Sequence, residues 1–258
     1  MRLLSSTVIA ICIAASCRAE EPGFRWPEDG AWALYIFKSE SVLMEHKFTT
    51  EGTTKIALVG KEIVDGEDCR WIELTSKSKF PAAEKPVQTI FKGLVHERDL
   101  RKGKSLTGRW QRGWMKIENN EPQELTSEML SSPTMQVNLF LSSPPDNSKH
   151  LDKRIFYSVT DKLECDGVTW DFPNKGGKTT SVKTDKIQGQ FTTVDMNLTI
   201  KWYYHEKSPF GLVAARWIRE VAGGSGNGQD DLEFVESGTG AKTQLPIIKA
   251  ESNFRGSH

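Results

Sequence analysis

Residues 194–204, VDMNLTIKWYY, alternate without a break. Val194, Met196, Leu198, Ile200, Trp202 and Tyr204 are apolar, and Asp195, Asn197, Thr199 and Lys201 between them are polar. Successive side chains of a strand point to opposite faces, so this pattern buries one face and wets the other. At about 3.3 Å per residue the segment is roughly 35 Å long, well beyond the usual strand. A strand of that length suits a strongly curved sheet or a barrel wall, with Leu198, Ile200 and Trp202 as candidate ligand-binding residues on its inward face.

The neighbouring segments carry the same signal. LVAARWIREV (212–221) puts Val213, Ala215, Trp217 and Val221 on one face, and the connection HEKSPFG supplies Pro209 and Gly211 for a turn. KIALVGKEIV (55–64) and CRWIELTSKS (69–78) flank Asp65-Gly66, a two-residue hairpin signal. A second Asp-Gly, 166–167, predicts a hairpin pairing Cys165 with Val168 and Leu163 with Trp170. AWALYIFKSE (31–40) and LMEHKFTT (43–50) read as another strand pair, and DDLEFVES (230–237) as the last strand. Helical signals are short: GLVHERDL (93–100), and EPQELTSEML (121–130) with Pro122 in its first turn; 132–141 reads as either helix or strand. The expected fold is mainly β (α+β): a strongly curved antiparallel sheet or unclosed β-barrel with a few short helices over its concave face. Residues 20–243 form one domain, and 244–258 form a tail with little reason to order.

The first residues have the layout of a secretory signal peptide, 1–19: Arg2, an uncharged apolar run from Leu3 to Ala15, then small residues. The run is shorter than the roughly 20 residues a membrane span takes. Cleavage after Ala19 gives a soluble product. Alternatively, Ala14-Ala15-Ser16-Cys17 resembles a loose lipobox, which makes Cys17 a lipid-attachment site and the protein anchored. Either way the expected location is the periplasm or cell envelope. Outside the leader the cysteines are Cys69 and Cys165. In an oxidising compartment they are candidates for one disulfide, worth on the order of 4–5 kcal/mol by loop closure. Two separate buried thiols are the other reading.

Composition and motifs exclude more than they assign. The formal net charge is +0, and loss of Arg2 and Arg18 leaves the mature chain slightly acidic, so no nucleic acid partner is expected. The five histidines fall in no metal-binding spacing, no nucleophile elbow or phosphate loop is present, and no cofactor or metal is expected. Dispersed carboxylates leave a hydrolase as a minor reading, and we expect no enzyme. GRWQRGWMKIE (108–118) places Trp110 and Trp114 at one strand parity with Arg112 between them. This is either an aromatic and basic lip at a ligand mouth or membrane surface, or an edge strand packed on its sheet.

Several stretches, Gly30–Trp32, Val59–Glu73, Arg112–Met115, Leu163–Val168 and Ser208–Val213, resemble uncharacterised exported proteins of planctomycete-type bacteria. The Pro-Phe-Gly turn between long strands also resembles, at the level of fold, the lipoprotein-carrier (LolA/LolB-like) architecture. That resemblance implies an unclosed half-barrel with a helical lid and an apolar interior for acyl chains. The expected function is an exported binding protein for an apolar ligand, a lipid or lipoprotein acyl chain. The alternative is a structural or protein-interaction domain whose core is filled by its own side chains, because both produce the same alternation.

Overall fold

The computed structural model describes residues 27–81, 83–101, 109–131, 156–164, 169–173, 179–192, 196–206 and 208–245. The leader with Cys17, the 132–141 segment, Cys165 and both residues of the second Asp-Gly lie outside the described residues. The elements are β1 (Trp32–Leu43), β2 (His46–Val64), β3 (Glu67–Lys79), β4 (Val87–His96), α1 (Glu97–Arg101), β5 (Trp110–Ile117), β6 (Gln123–Glu124), α2 (Ser127–Ser131), β7 (Phe156–Glu164), β8 (Thr169–Pro173), β9 (Thr179–Lys183), β10 (Asp185–Thr192), β11 (Met196–Tyr204), β12 (Leu212–Val221) and β13 (Gly228–Gly238). Eleven strands make one antiparallel sheet in the order β6-β5-β4-β3-β2-β1-β13-β12-β11-β10-β7, and β8 pairs with β9 separately. The end strands β6 and β7 do not pair with each other, so the sheet stays open. The fold is mainly β, an unclosed curved sheet with two five-residue helices among the described residues.

Curvature follows from strand length and from inserted residues. β2 runs for 19 residues, about 60 Å if it were straight. Register shifts leave Val59 of β2, Gln111 of β5, Val213 of β12 and Val235 of β13 without a direct partner. Each such bulge bends its strand and increases the local twist. The main core lies on one face and runs through eight neighbouring strands, from Trp110 on β5 to Ile200 on β11. Leu100 of α1 and Leu130 of α2 pack into the same core.

Turn chemistry sets several registers. Asp65 and Gly66 take φ of 52° and 79°, the left-handed pair of a type I′ hairpin, and bring Val64 opposite Glu67. Met44 and Glu45 do the same between β1 and β2, at φ of 48° and 68°, with no glycine or asparagine to announce it.

Three local expectations are corrected. Residues 93–96 continue β4, and only 97–101 are helical. The helix expected over 121–130 starts later, at Ser127, because the Thr126 hydroxyl accepts from the Met129 amide as its cap; Pro122 precedes β6. Finally, β7 pairs with β10, not β8, which pairs with β9. β10 has eight residues against five in β8, and so offers β7 a longer ladder.

β2 runs without interruption through Glu51-Gly52-Thr53. Gly52 stands opposite Phe37 of β1. A Cβ there would run into the Lys77 carbonyl oxygen and lie 2.7 Å from the Phe37 ring. The glycine serves close packing, not a turn. Gly52→Val is therefore expected to destabilise the fold by about 3 kcal/mol in urea unfolding. A change under about 0.5 kcal/mol would show that the strands part here without cost.

Candidate functional site

The inner face is the candidate site. Ala33 and Tyr35 of β1, Ile56 and Leu58 of β2, Ile72 and Leu74 of β3, and Leu232 of β13 are buried on it. Along β11 the alternation is realised: Ile200, Trp202 and Tyr204 are buried in this core, and Leu198 is half-buried at its border. Phe37, Met115 and Tyr203 also border it half-buried. Aromatic edges fix the interior, with Phe91 against Trp110 at 5.1 Å and Tyr35 against Phe234 at 5.9 Å.

Polar groups on this face are few. The Tyr35 hydroxyl donates to the Leu212 carbonyl at 3.1 Å and lies 3.3 Å from Ser208 Oγ. Burial raises its phenol well above the ordinary range, opposed by the Ser208 contact. Thr54 and Ser76 hydroxyls meet at 3.1 Å. Trp202 Nε1, by contrast, is buried and has no hydrogen-bond partner among the described residues.

Trp110 and Trp114 do not share a face. Trp110 stands opposite Val95 and packs in the inner core; Trp114 stands opposite Lys92 and packs on the outer face with Trp71, at 5.4 Å. The bulge at Gln111 adds one residue between them and inverts the parity. Both are 6% exposed, so neither forms a solvent-facing lip. Arg112 pairs with Glu62, whose other oxygen accepts from Trp71 Nε1 at 3.0 Å.

Cys69 is a free thiol on the outer face, 1% exposed. Its expected disulfide partner, Cys165, lies outside the described residues, and burial pushes the Cys69 thiol above its ordinary pKa. Its Sγ lies 3.3 Å from His96 Nδ1, and that same nitrogen lies 3.2 Å from Glu67 Oε2. One nitrogen meeting both groups lacks the two-ended relay of a nucleophilic Cys-His arrangement. No cluster of three or more metal-binding side chains occurs among the described residues.

The outer face holds an arrangement the sequence reading missed. Glu73 and Lys92 stand opposite each other on β3 and β4, 3% and 2% exposed. Residues 243–245 lie across them. The Glu73 carboxylate accepts from the Gln244 amide at 3.0 Å, the Leu245 amide at 3.4 Å and the Thr243 hydroxyl at 2.7 Å. Lys92 Nζ donates to Thr243 Oγ1 at 3.0 Å and to the Leu245 carbonyl at 3.1 Å. Burial draws this ammonium below the usual lysine range, opposed by Glu73 and Glu62. Leu245 is 1% exposed among Cys69, Trp71, Ile90, Leu94 and Trp114. The tail expected from Gln244 onward thus begins with two residues built into the fold. The available signal was one charge inside each apolar run, WIEL and IFKGLV.

The sequence matches no protein-family model and no curated protein. Solved structures similar to the chain include a DUF1329 family protein from Desulfovibrio piger, at 10% identity and TM-score 0.30, covering 84% of this chain and 86% of that one. A domain described as outer membrane lipoprotein-sorting, from Vibrio parahaemolyticus, has 11% identity and TM-score 0.33 over 89% and 92% of the two chains. A LolA superfamily protein from Nitrosomonas europaea has 12% identity and TM-score 0.30 over 87% and 91%.

The buried Tyr35 gives a pH test. Its pKa is raised in the fold, so above about pH 10 the unfolded chain loses a proton that the folded chain keeps, and stability falls with pH. At pH 7 Tyr35→Phe is expected to cost about 1 kcal/mol for the lost hydrogen bond. Above pH 10 the gap to the parent protein narrows, by about 1.4 kcal/mol per unit, in urea titrations. A constant gap from pH 7 to 11 would show that the phenol ionises freely in the fold.

Proposed function

We propose that this is an exported binding protein of the bacterial envelope, not an enzyme, and that it takes an apolar ligand, a lipid or lipoprotein acyl chain, against the inner face of its open sheet. The observation that supports this is the continuous apolar core on one face from β5 to β11, in a sheet whose end strands do not pair. Burial deepens along β11 from half-buried Leu198, through Ile200, to Trp202 at 1% exposure. That path is about 13 Å long, so an acyl chain entering beside Leu198 meets a progressively drier wall. Each methylene it buries contributes about 0.8 kcal/mol. The charge order of residues 1–19 supports export.

Native mass spectrometry of protein purified from membranes is expected to show bound lipid. A fluorescent dodecanoic acid is expected to bind saturably, and at least tenfold more weakly to Leu198→Glu, which places a charge at the border of the core, with cooperative unfolding retained. A clean ligand-free mass together with no saturable fluorescence would reject the reading and leave a filled-core interaction domain.

A further inference from the structure

The outer face of β3, β4 and β5 reads main chain. Glu73 holds two successive backbone amides, Lys92 holds the carbonyl that follows, and an apolar seat between Trp71 and Trp114 takes one aliphatic side chain. Gln244 is read in addition: its Nε2 donates to Thr75 Oγ1 at 2.8 Å, and its Oε1 accepts from Gln88 at 3.4 Å. Two amides, one carbonyl, a hydroxyl and an aliphatic pocket in line are the chemistry of an extended peptide with the pattern Thr-x-Leu. The segment seated there reaches it from β13 through Gly240, at φ +78°, and is tied beside that glycine by the Ala241 amide to the Gly30 carbonyl. Beyond that tie, the Gln244 and Leu245 amides are held by a side chain and not by a strand ladder. A buried Glu–Lys pair is weak evidence for stability and better suited to fixing which segment sits there.

We propose that this groove is a peptide-recognition site with residues 243–245 as its resident occupant, and that a second copy of the chain fills it in trans with the same three residues. The chain carries both the seat and the segment that fits it, so every other copy is a matched partner. The glycine-containing link lets the segment leave its own groove, and an exchange of segments between copies preserves every contact.

The probe is a labelled peptide of sequence Ala-Lys-Thr-Gln-Leu-Pro, followed by fluorescence anisotropy with the full chain. Leu245→Asp disables the resident segment and is expected to bind the peptide at least tenfold more tightly than the unmutated protein, where the resident competes. Adding Glu73→Gln to that variant is expected to weaken the peptide at least tenfold. The unmutated protein is expected to form dimer with rising concentration in light scattering. Failure of cooperatively folded Leu245→Asp to bind, binding indifferent to Glu73→Gln, or peptide binding with no dimer at millimolar protein would each overturn the proposal. Hydrogen exchange on the unmutated protein keeps the test open if the variants fail to fold. The Gln244 and Leu245 amides are expected to exchange at least a hundredfold faster than the Leu74 amide. Equal rates would mean the segment leaves only when the whole fold opens, and would overturn the proposal as well.

Discussion

The structure depends on one constraint: an open sheet with an apolar face must keep that face out of water. Eight neighbouring strands carry the inner core, a width of about 34 Å at ordinary strand spacing. The two described helices are about 7–8 Å long and bring one leucine each to it. Among the described residues they cover only part of that span. The sheet meets the constraint by bending, through strands as long as β2 and through the extra residues Val59, Gln111, Val213 and Val235. Gly52 belongs to the same solution, since only a residue without a Cβ lets β1, β2 and β3 approach where Phe37 packs.

Bending one way gives the two faces different chemistry. The inner face is nearly all hydrocarbon and aromatic ring, with Tyr35 satisfied by Leu212 and Ser208. The outer face of β2 to β5 mixes tryptophan with buried charge. Trp71 is flanked by Lys92 at 5.1 Å and Arg112 at 5.5 Å, and donates to Glu62. Burying Glu73 and Lys92 costs desolvation, and the hydrogen bonds to residues 243–245 offset it. The tryptophans are divided accordingly, with Trp110, Trp202 and Trp217 inside and Trp71 and Trp114 outside.

What could be read in advance was the information carried by period and by turn residues. The face of β11, its pairing with β12 and the Asp65-Gly66 hairpin follow from alternation and from left-handed turn preferences. What could not be read depends on distant partners. Nothing in RWQRGW marks Gln111 as an inserted residue; the mismatch exists only against β4, and it sends Trp110 and Trp114 to opposite faces. A glycine needed for close approach, as Gly52 is, and one needed for a turn are identical in a single sequence. Met44-Glu45 takes a hairpin turn against its local preference because the long ladder between β1 and β2 imposes the geometry. Glu73 and Lys92 each appear as an isolated charge, and their joint role appears only when residues 243–245, about 150 positions or more away, cross both strands.

The central claim is that the inner face is a surface for an acyl chain and not simply a core. A crystal structure grown with palmitate tests it most directly. The account predicts continuous electron density for the acyl chain along β11, beginning beside Leu198 and reaching Trp202. Side chains from the facing walls in mutual contact along that whole path, with palmitate absent or bound elsewhere, would contradict it.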